Sequence, residues 1–236
     1  MQAVLSLVAL VAYQNGPYPA VSFADKPGVT FVELRETGRI LGVPIEWTAE
    51  EGTKIGNVPF DGNQARVLAD GTKVVPVRSF QVEGVSIVFD PATEQTTVYK
   101  GEESYVFTEP EKFVEISINQ QTLRAWQGPY LVLETNVSTG KRGHTTPTGK
   151  FSAKTRERMR YSRKYNDSPM PWSVQINGDI FIHGYGSVPR YPASHGCVRM
   201  PMWGDNAAKK FWEWVELGTP VHVVSEFTRE RESSKA

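Results

Sequence analysis

From residue 112 onward the chain alternates short apolar runs with turn signals, a pattern that commits its second half to antiparallel β structure. Phe113-Val-Glu-Ile-Ser-Ile118, a polar turn at Asn119-Gln-Gln121, an apolar run over 123–126, Gly128-Pro129 and a further run over 130–137 predict a three-stranded meander. More strands are predicted over 150–153, 173–176 and 179–183. The last two are joined by Asn177-Gly178, a pair that tolerates the positive φ of a two-residue hairpin turn. One helix is predicted over 205–215, because Ala208, Phe211, Trp212 and Val215 recur at helical spacing. Gly218 and Pro220 end it, and a closing strand follows over 221–224.

The 236 residues are 39% apolar and 22% charged, enough for one large or two ordinary domains. Basic and acidic residues cancel at 26 each, which removes the cationic footprint of a general nucleic-acid binder, so no nucleic-acid partner is expected. No apolar run reaches the roughly 18–20 residues needed to cross a bilayer, so no integral span is expected. The longest run, over 3–13, has the length of a signal-peptide core, and Ser22-Phe23-Ala24 is a small-x-small cleavage site. Residues 1–24 are therefore read as an export leader; since Met1-Gln2 brings no positive charge, a buried first strand is the alternative. A single cysteine, Cys197, cannot form an internal disulfide and leaves a free thiol.

The first half contains a repeat. Leu34-Arg35 followed by Gly42-Val43-x-Ile45-x-Trp47 returns, about 43 residues later, as Val77-Arg78 followed by Gly84-Val85-x-Ile87-x-Phe89. Each copy predicts a short helix ended by glycine, then a strand, a turn and a second strand. Val32-Glu-Leu-Arg35, Leu41-Gly-Val-Pro-Ile-Glu-Trp47 and Val75-Pro-Val-Arg78 with Gly84 resemble the N-terminal domain of copper amine oxidases, a small α+β accessory module. The resemblance places such a module over 25–104. It implies no metal, and an accessory or wall-contacting role.

Chemistry concentrates in one segment, Phe181-Ile-His183-Gly184 followed by a Gly- and Pro-rich loop and then Ser194-His195-Gly196-Cys197-Val198-Arg199. A thiol attacks carbonyls as thiolate, and a free cysteine is mostly protonated at neutral pH, so an imidazole must accept its proton. His195 is tied to the thiol by two residues of local chain, whereas His183, at the end of a separate strand, is free to face the sulfur and is assigned as base and acid. Glycine at 196 admits backbone N–H groups close to a developing oxyanion, and Arg199 suits a substrate carboxylate. A lone cysteine or histidine is usually structural, but one thiol, two imidazoles and a guanidinium fall within 17 residues here. A zinc site built from His183, His195 and Cys197 competes, yet lacks a paired Cys or carboxylate ligand.

His183-Gly184 followed by Ser194-His-Gly-Cys-Val-Arg199 is similar to the signature of the L,D-transpeptidase (YkuD-type) catalytic domain. Val137-Ser-Thr-Gly140-Lys141, Thr146-Pro-Thr-Gly149-Lys-Phe151 and Gly218-Thr-Pro-Val221 resemble its other recurring stretches, and the resemblance covers 112–226, leaving a polar tail over 227–236. It implies a mainly β fold, a β-sandwich with one principal helix. It implies Cys197 as nucleophile, His183 as base and acid oriented by a backbone carbonyl such as that of Gly184, amides of His195, Gly196 and Cys197 at the oxyanion, and Ser194 and Arg199 completing the pocket. The implied reaction is cleavage of the bond between the diamino acid and D-alanine of a peptidoglycan stem, with transfer to an acceptor amine in the cell envelope, no cofactor, and acylation by carbapenems. Hydrolysis by water, as an L,D-carboxypeptidase or endopeptidase, and non-catalytic wall binding are the alternatives; the oligomeric state is open.

Two features stay outside this set. The basic segment Lys154-Thr-Arg-Glu-Arg-Met-Arg160 with Arg163 and Lys164 reads as a solvated loop, or as a lid meeting anionic substrate. Trp203, Trp212 and Trp214 lie near the predicted helix, and two of them read as core rather than as carbohydrate platforms.

Overall fold

The computed structural model describes residues 13–227 and is mainly β, with two α-helices among the described residues. The apolar run over 3–12 and the tail from 228 lie outside them. The chain forms two units. Among the described residues, the first takes those up to Ala20 with Thr30–Arg66 and Lys73–Glu109; the second takes Val21–Val29, Val67–Thr72 and those from Pro110. No described helix is long and apolar enough to cross a membrane.

In the first unit β1 (Tyr13–Pro19) is followed by β2 (Phe31–Glu33) and by α1 (Leu34–Leu41), which ends at a left-handed Gly42 as the repeat predicts. Then come β3 (Ile45–Thr48), β4 (Gly52–Ile55), β5 (Val58–Phe60), β6 (Arg66–Val67), β7 (Lys73–Pro76), β8 (Val85–Asp90), β9 (Gln95–Lys100) and β10 (Glu103–Thr108). The second repeat departs from expectation. After Val77 there is only a single 3-10 turn, Val77–Phe80, where a helix is predicted. That copy has one residue fewer before its glycine, which leaves less than two full helical turns. Val32, Leu34, Leu41, Val43, Ile55, Phe80 and Val98 form the core of this unit. The predicted cleavage site falls just after β1, which pairs in parallel with β10.

The second unit holds β11 (Lys112–Ser117), β12 (Thr122–Gln127) and β13 (Tyr130–Asn136), antiparallel neighbours that form the predicted meander. β14 (Gly149–Ser152), β15 (Thr155–Ser162), β16 (Ser168–Asn177), β17 (Ile180–Tyr185), β18 (Val198–Pro201), α2 (Ala207–Trp214) and β19 (Pro220–Val224) complete it. One sheet runs β13-β12-β11-β19-β14 and the other β15-β16-β17-β18. Val114, Ile116, Leu123 and Ala125 of the first sheet, with Val174, Ile176, Ile182 and Val198 of the second, are all completely buried. α2 lies against β13, β16, β17 and β18 and is capped by Asn206, whose side chain accepts from the Lys209 N–H at 3.1 Å. It buries Ala208, Phe211 and Trp214, so Trp212 is not on the core face assigned to it; it is half-buried and packs tilted against Trp172. Trp203 is exposed.

Most of the basic segment is strand rather than loop, with Arg163 and Lys164 in the turn that follows. Residues 155–162 form β15, antiparallel to β16. Arg156, Arg158 and Arg160 recur with the period of a strand and lie over the rings of Trp212, Trp172 and Phe181 at 3.9, 5.4 and 4.5 Å. Guanidinium planes take the places that apolar side chains usually hold.

Candidate active site

β17 and β18 run parallel, with Ile182 opposite Val198 and His183 opposite Arg199. Side chains alternate across a strand, so Phe181, His183 and Tyr185 share one face with Arg199 and, two residues before it, Cys197. Ile182, Val198 and Met200 turn the other way into the core. One face is therefore apolar and buried, and the other collects the titratable groups around a cavity of about 710 Å³.

His183 is 4% exposed. Its Nδ1 lies 2.9 Å from the Gly184 carbonyl oxygen, which can only accept, so the proton sits on Nδ1 and Nε2 keeps a lone pair. Burial pulls its pKa from 6.5 down to about 4, against a raising contribution from that carbonyl, so the ring is neutral at pH 7. Gly184 does not line the cavity. Its α-carbon packs where a Cβ would come within 2.8 Å of Met202, which brings β17 close under the segment leading to α2.

The Cys197 thiol is pushed up by burial, countered by the Phe181 N–H and by the Arg199 charge. Its Sγ is 3.6 Å from the Asp179 carbonyl oxygen. A low imidazole and a raised thiol give a resting pair that is neutral on both sides. Arg199 lies 4.0 Å over the Tyr185 ring and donates to the Ala193 carbonyl at 3.4 Å. The His195 ring sits against His144 at 4.8 Å and Tyr165 at 4.6 Å, and partial desolvation, with Lys141 nearby, holds its pKa down.

The loop before Cys197 is wound tightly. Ser194 Oγ donates to the Cys197 carbonyl at 2.5 Å and accepts the Gly196 N–H at 3.0 Å. Gly196 has φ +119, a backbone that only glycine adopts without strain. Its carbonyl accepts from Thr146 Oγ1 at 2.7 Å, and that hydroxyl in turn accepts the Gly140 N–H at 2.8 Å. At Gly140 a Cβ would lie 1.9 Å from the His144 carbonyl oxygen, so the two loops meet only because residue 140 has no side chain. Thr139 accepts the N–H groups of Ala193 and Ser194, both at 2.9 Å. Gln121, 2% exposed, holds Thr139 from behind, accepting its N–H at 2.9 Å and donating to its Oγ1 at 2.7 Å.

Of the residues proposed from sequence, His183, Ser194, His195, Cys197 and Arg199 line one cavity, while Gly184 and Gly196 contribute backbone. The supports Gln121, Thr139 and Thr146 were not singled out. Thr139 and Thr146 lie in the stretches 137–141 and 146–151, where the sequence assigns them no role of their own, and a glutamine in a turn reads as solvent-facing. The wall made by Arg160, Tyr161, Ser162, Arg163, Lys164 and Tyr165 belongs to the segment read as a loop. Among the described residues no three His, Cys, Asp or Glu side chains converge as a metal cradle.

Residues 111–223 match the family model of the L,D-transpeptidase catalytic domain, YkuD. This stretch, which carries the cavity, is thus an L,D-transpeptidase catalytic domain. A solved L,D-transpeptidase from Stackebrandtia nassauensis is 27% identical, over 49% of this chain and 56% of that one, with a TM-score of 0.44. One from Xylanimonas cellulosilytica is 29% identical, over 49% and 61%, with a TM-score of 0.42. One from Mycobacterium smegmatis is 16% identical over 88% and 99%, with a TM-score of 0.44. The chain thus spans less than two thirds of the length of the first two. No curated protein matches it.

Proposed function

We propose that the protein is a peptidoglycan L,D-transpeptidase acting through a cysteine acyl-enzyme in the cell envelope, to which it is exported. The observation that carries this reading is the shared strand face of His183, Cys197 and Arg199, with His183 Nδ1 committed to a carbonyl and Nε2 left as base. Nε2 takes the thiol proton as Cys197 Sγ attacks the carbonyl carbon of the diamino acid, typically meso-diaminopimelate. The oxyanion is received by the amides of His195 and Cys197, the Gly196 N–H being held by Ser194 Oγ. The C–N bond to D-alanine breaks, His183 returns the proton to the leaving amine, and a thioester remains. An acceptor side-chain amine then attacks the thioester and gives its proton to His183, the C–S bond breaks, and His183 returns the proton to the Cys197 thiolate, leaving a crosslink and the free thiol. Arg199 holds a carboxylate of the donor stem. No step calls for a cofactor.

The test is incubation of the protein and of Cys197→Ala with a diaminopimelate tetrapeptide muropeptide, with products resolved by mass. Cysteine-dependent dimers lacking one D-alanine are expected, together with a carbapenem adduct on the wild type alone. Tripeptide without dimer would make the enzyme an L,D-carboxypeptidase, and no product from either protein would overturn the reading.

A further inference from the structure

The cavity is cationic in a chain whose charges cancel. Arg160, Arg163, Lys164 and Arg199 line it, against one carboxylate, Asp179. Two of the four cations are already engaged. Arg160 pairs with Glu157 at 2.6 Å and covers Phe181, and Arg199 lies on Tyr185. Arg163 and Lys164 differ: among the described residues neither has an ion pair, hydrogen bond or ring contact through its side chain. They are the two central residues of a turn closed by the Tyr165 N–H on the Ser162 carbonyl at 3.1 Å, so the backbone is fixed and both side chains are free. The next residue, Tyr165, lies on the His195 ring, which holds the turn beside the loop that carries Cys197. Asp167, the acid in the same tip, does not line the cavity.

We infer that the Arg163-Lys164 turn selects the donor by a free carboxylate, so that the enzyme takes acidic stem peptides in preference to amidated ones. The inference rests on the stem-peptide reading above and narrows it. Arg199 is placed for a carboxylate next to the thiol, and two further, uncommitted cations on the turn that lines the same cavity have work only if the substrate brings a second anion. Amidation replaces that anion with a neutral group of nearly the same shape, so discrimination comes from charge rather than fit.

Binding is measured by calorimetry on Cys197→Ala, with a free-acid donor tetrapeptide and with forms amidated at the glutamate or the diaminopimelate carboxylate. At least one amidation is expected to weaken binding about two- to fivefold, the range for exposed charge pairs, and raised salt is expected to shrink the difference. Adding Arg163→Gln and Lys164→Gln brings the free-acid stem down to the amidated one, while Arg163→Lys keeps most of the preference. Equal binding of acid and amide, retention of the preference by the double glutamine variant, or no binding of any form overturns the inference. D-Alanine release by the wild type is scored separately. Release from acid and amide stems alike leaves the transpeptidase reading standing when selection fails, whereas absent release sinks that reading and leaves the binding ratio to decide this one.

Discussion

His183 ties the chemistry to stability. Its folded pKa, about 4, is below the ordinary 6.5 because burial disfavours the imidazolium. The unfolded chain therefore binds this proton first as pH falls, and the stabilisation, complete above about 6.5, is lost on the way down to about 4. The shift corresponds to about 3 kcal/mol. Urea midpoints are expected to fall between pH 7 and pH 4 more steeply for the wild type than for His183→Gln. At Cys197 the raised thiol predicts slow alkylation by iodoacetamide at pH 7, with a rate still climbing past pH 9; a plateau below pH 8 in intact-mass time courses would contradict the neutral resting pair.

At the scale of elements, the loop that carries Cys197 is held by bonds from elsewhere. Thr146→Val leaves the Gly140 N–H and the Gly196 carbonyl without partners and is expected to cost about 1–3 kcal/mol. With the loop loosened, kcat should fall about tenfold with KM nearly unchanged, and Thr146→Ser should restore it, in steady-state assays of D-alanine release. These supports explain which parts of the fold were legible. The meander, the Asn177-Gly178 hairpin and α2 advertise themselves because apolar periodicity and turn chemistry are local signals. β15 did not, because its alternate positions hold arginines whose partners, Trp212, Trp172 and Phe181, are distant in sequence. β18 is four residues long and mixes Arg199 with a closing Pro201, too short to show a period. The catalytic candidates could be read because thiol, imidazole and guanidinium crowd one segment. Gln121 could not, since what gives it a role is Thr139, eighteen residues away.

At the scale of the molecule, the second unit is assembled from three stretches of chain. Ser22 N–H donates to Gln127 Oε1 at 3.1 Å, the Asp25 N–H to the Glu213 carbonyl at 3.0 Å, and the Ala69 N–H to the Leu131 carbonyl at 3.1 Å. A chain cut to residues 110–236 forfeits all three at about 1 kcal/mol each. Its thermal midpoint is expected to fall several degrees below that of the full chain in a calorimetric scan, and equal midpoints would show these stretches to be ornamental.

The position of β19 adds a constraint in time. This late strand lies between β11 and β14, in the interior of its five-stranded sheet. A chain emerging from its amino terminus displays the edge of β11 more than a hundred residues before the strand that covers it arrives. Until then that edge is open to pairing with any neighbouring chain. This five-stranded sheet therefore closes only once β19 has emerged, and a chaperone that shields the β11 edge in the interval would govern the yield of folded protein.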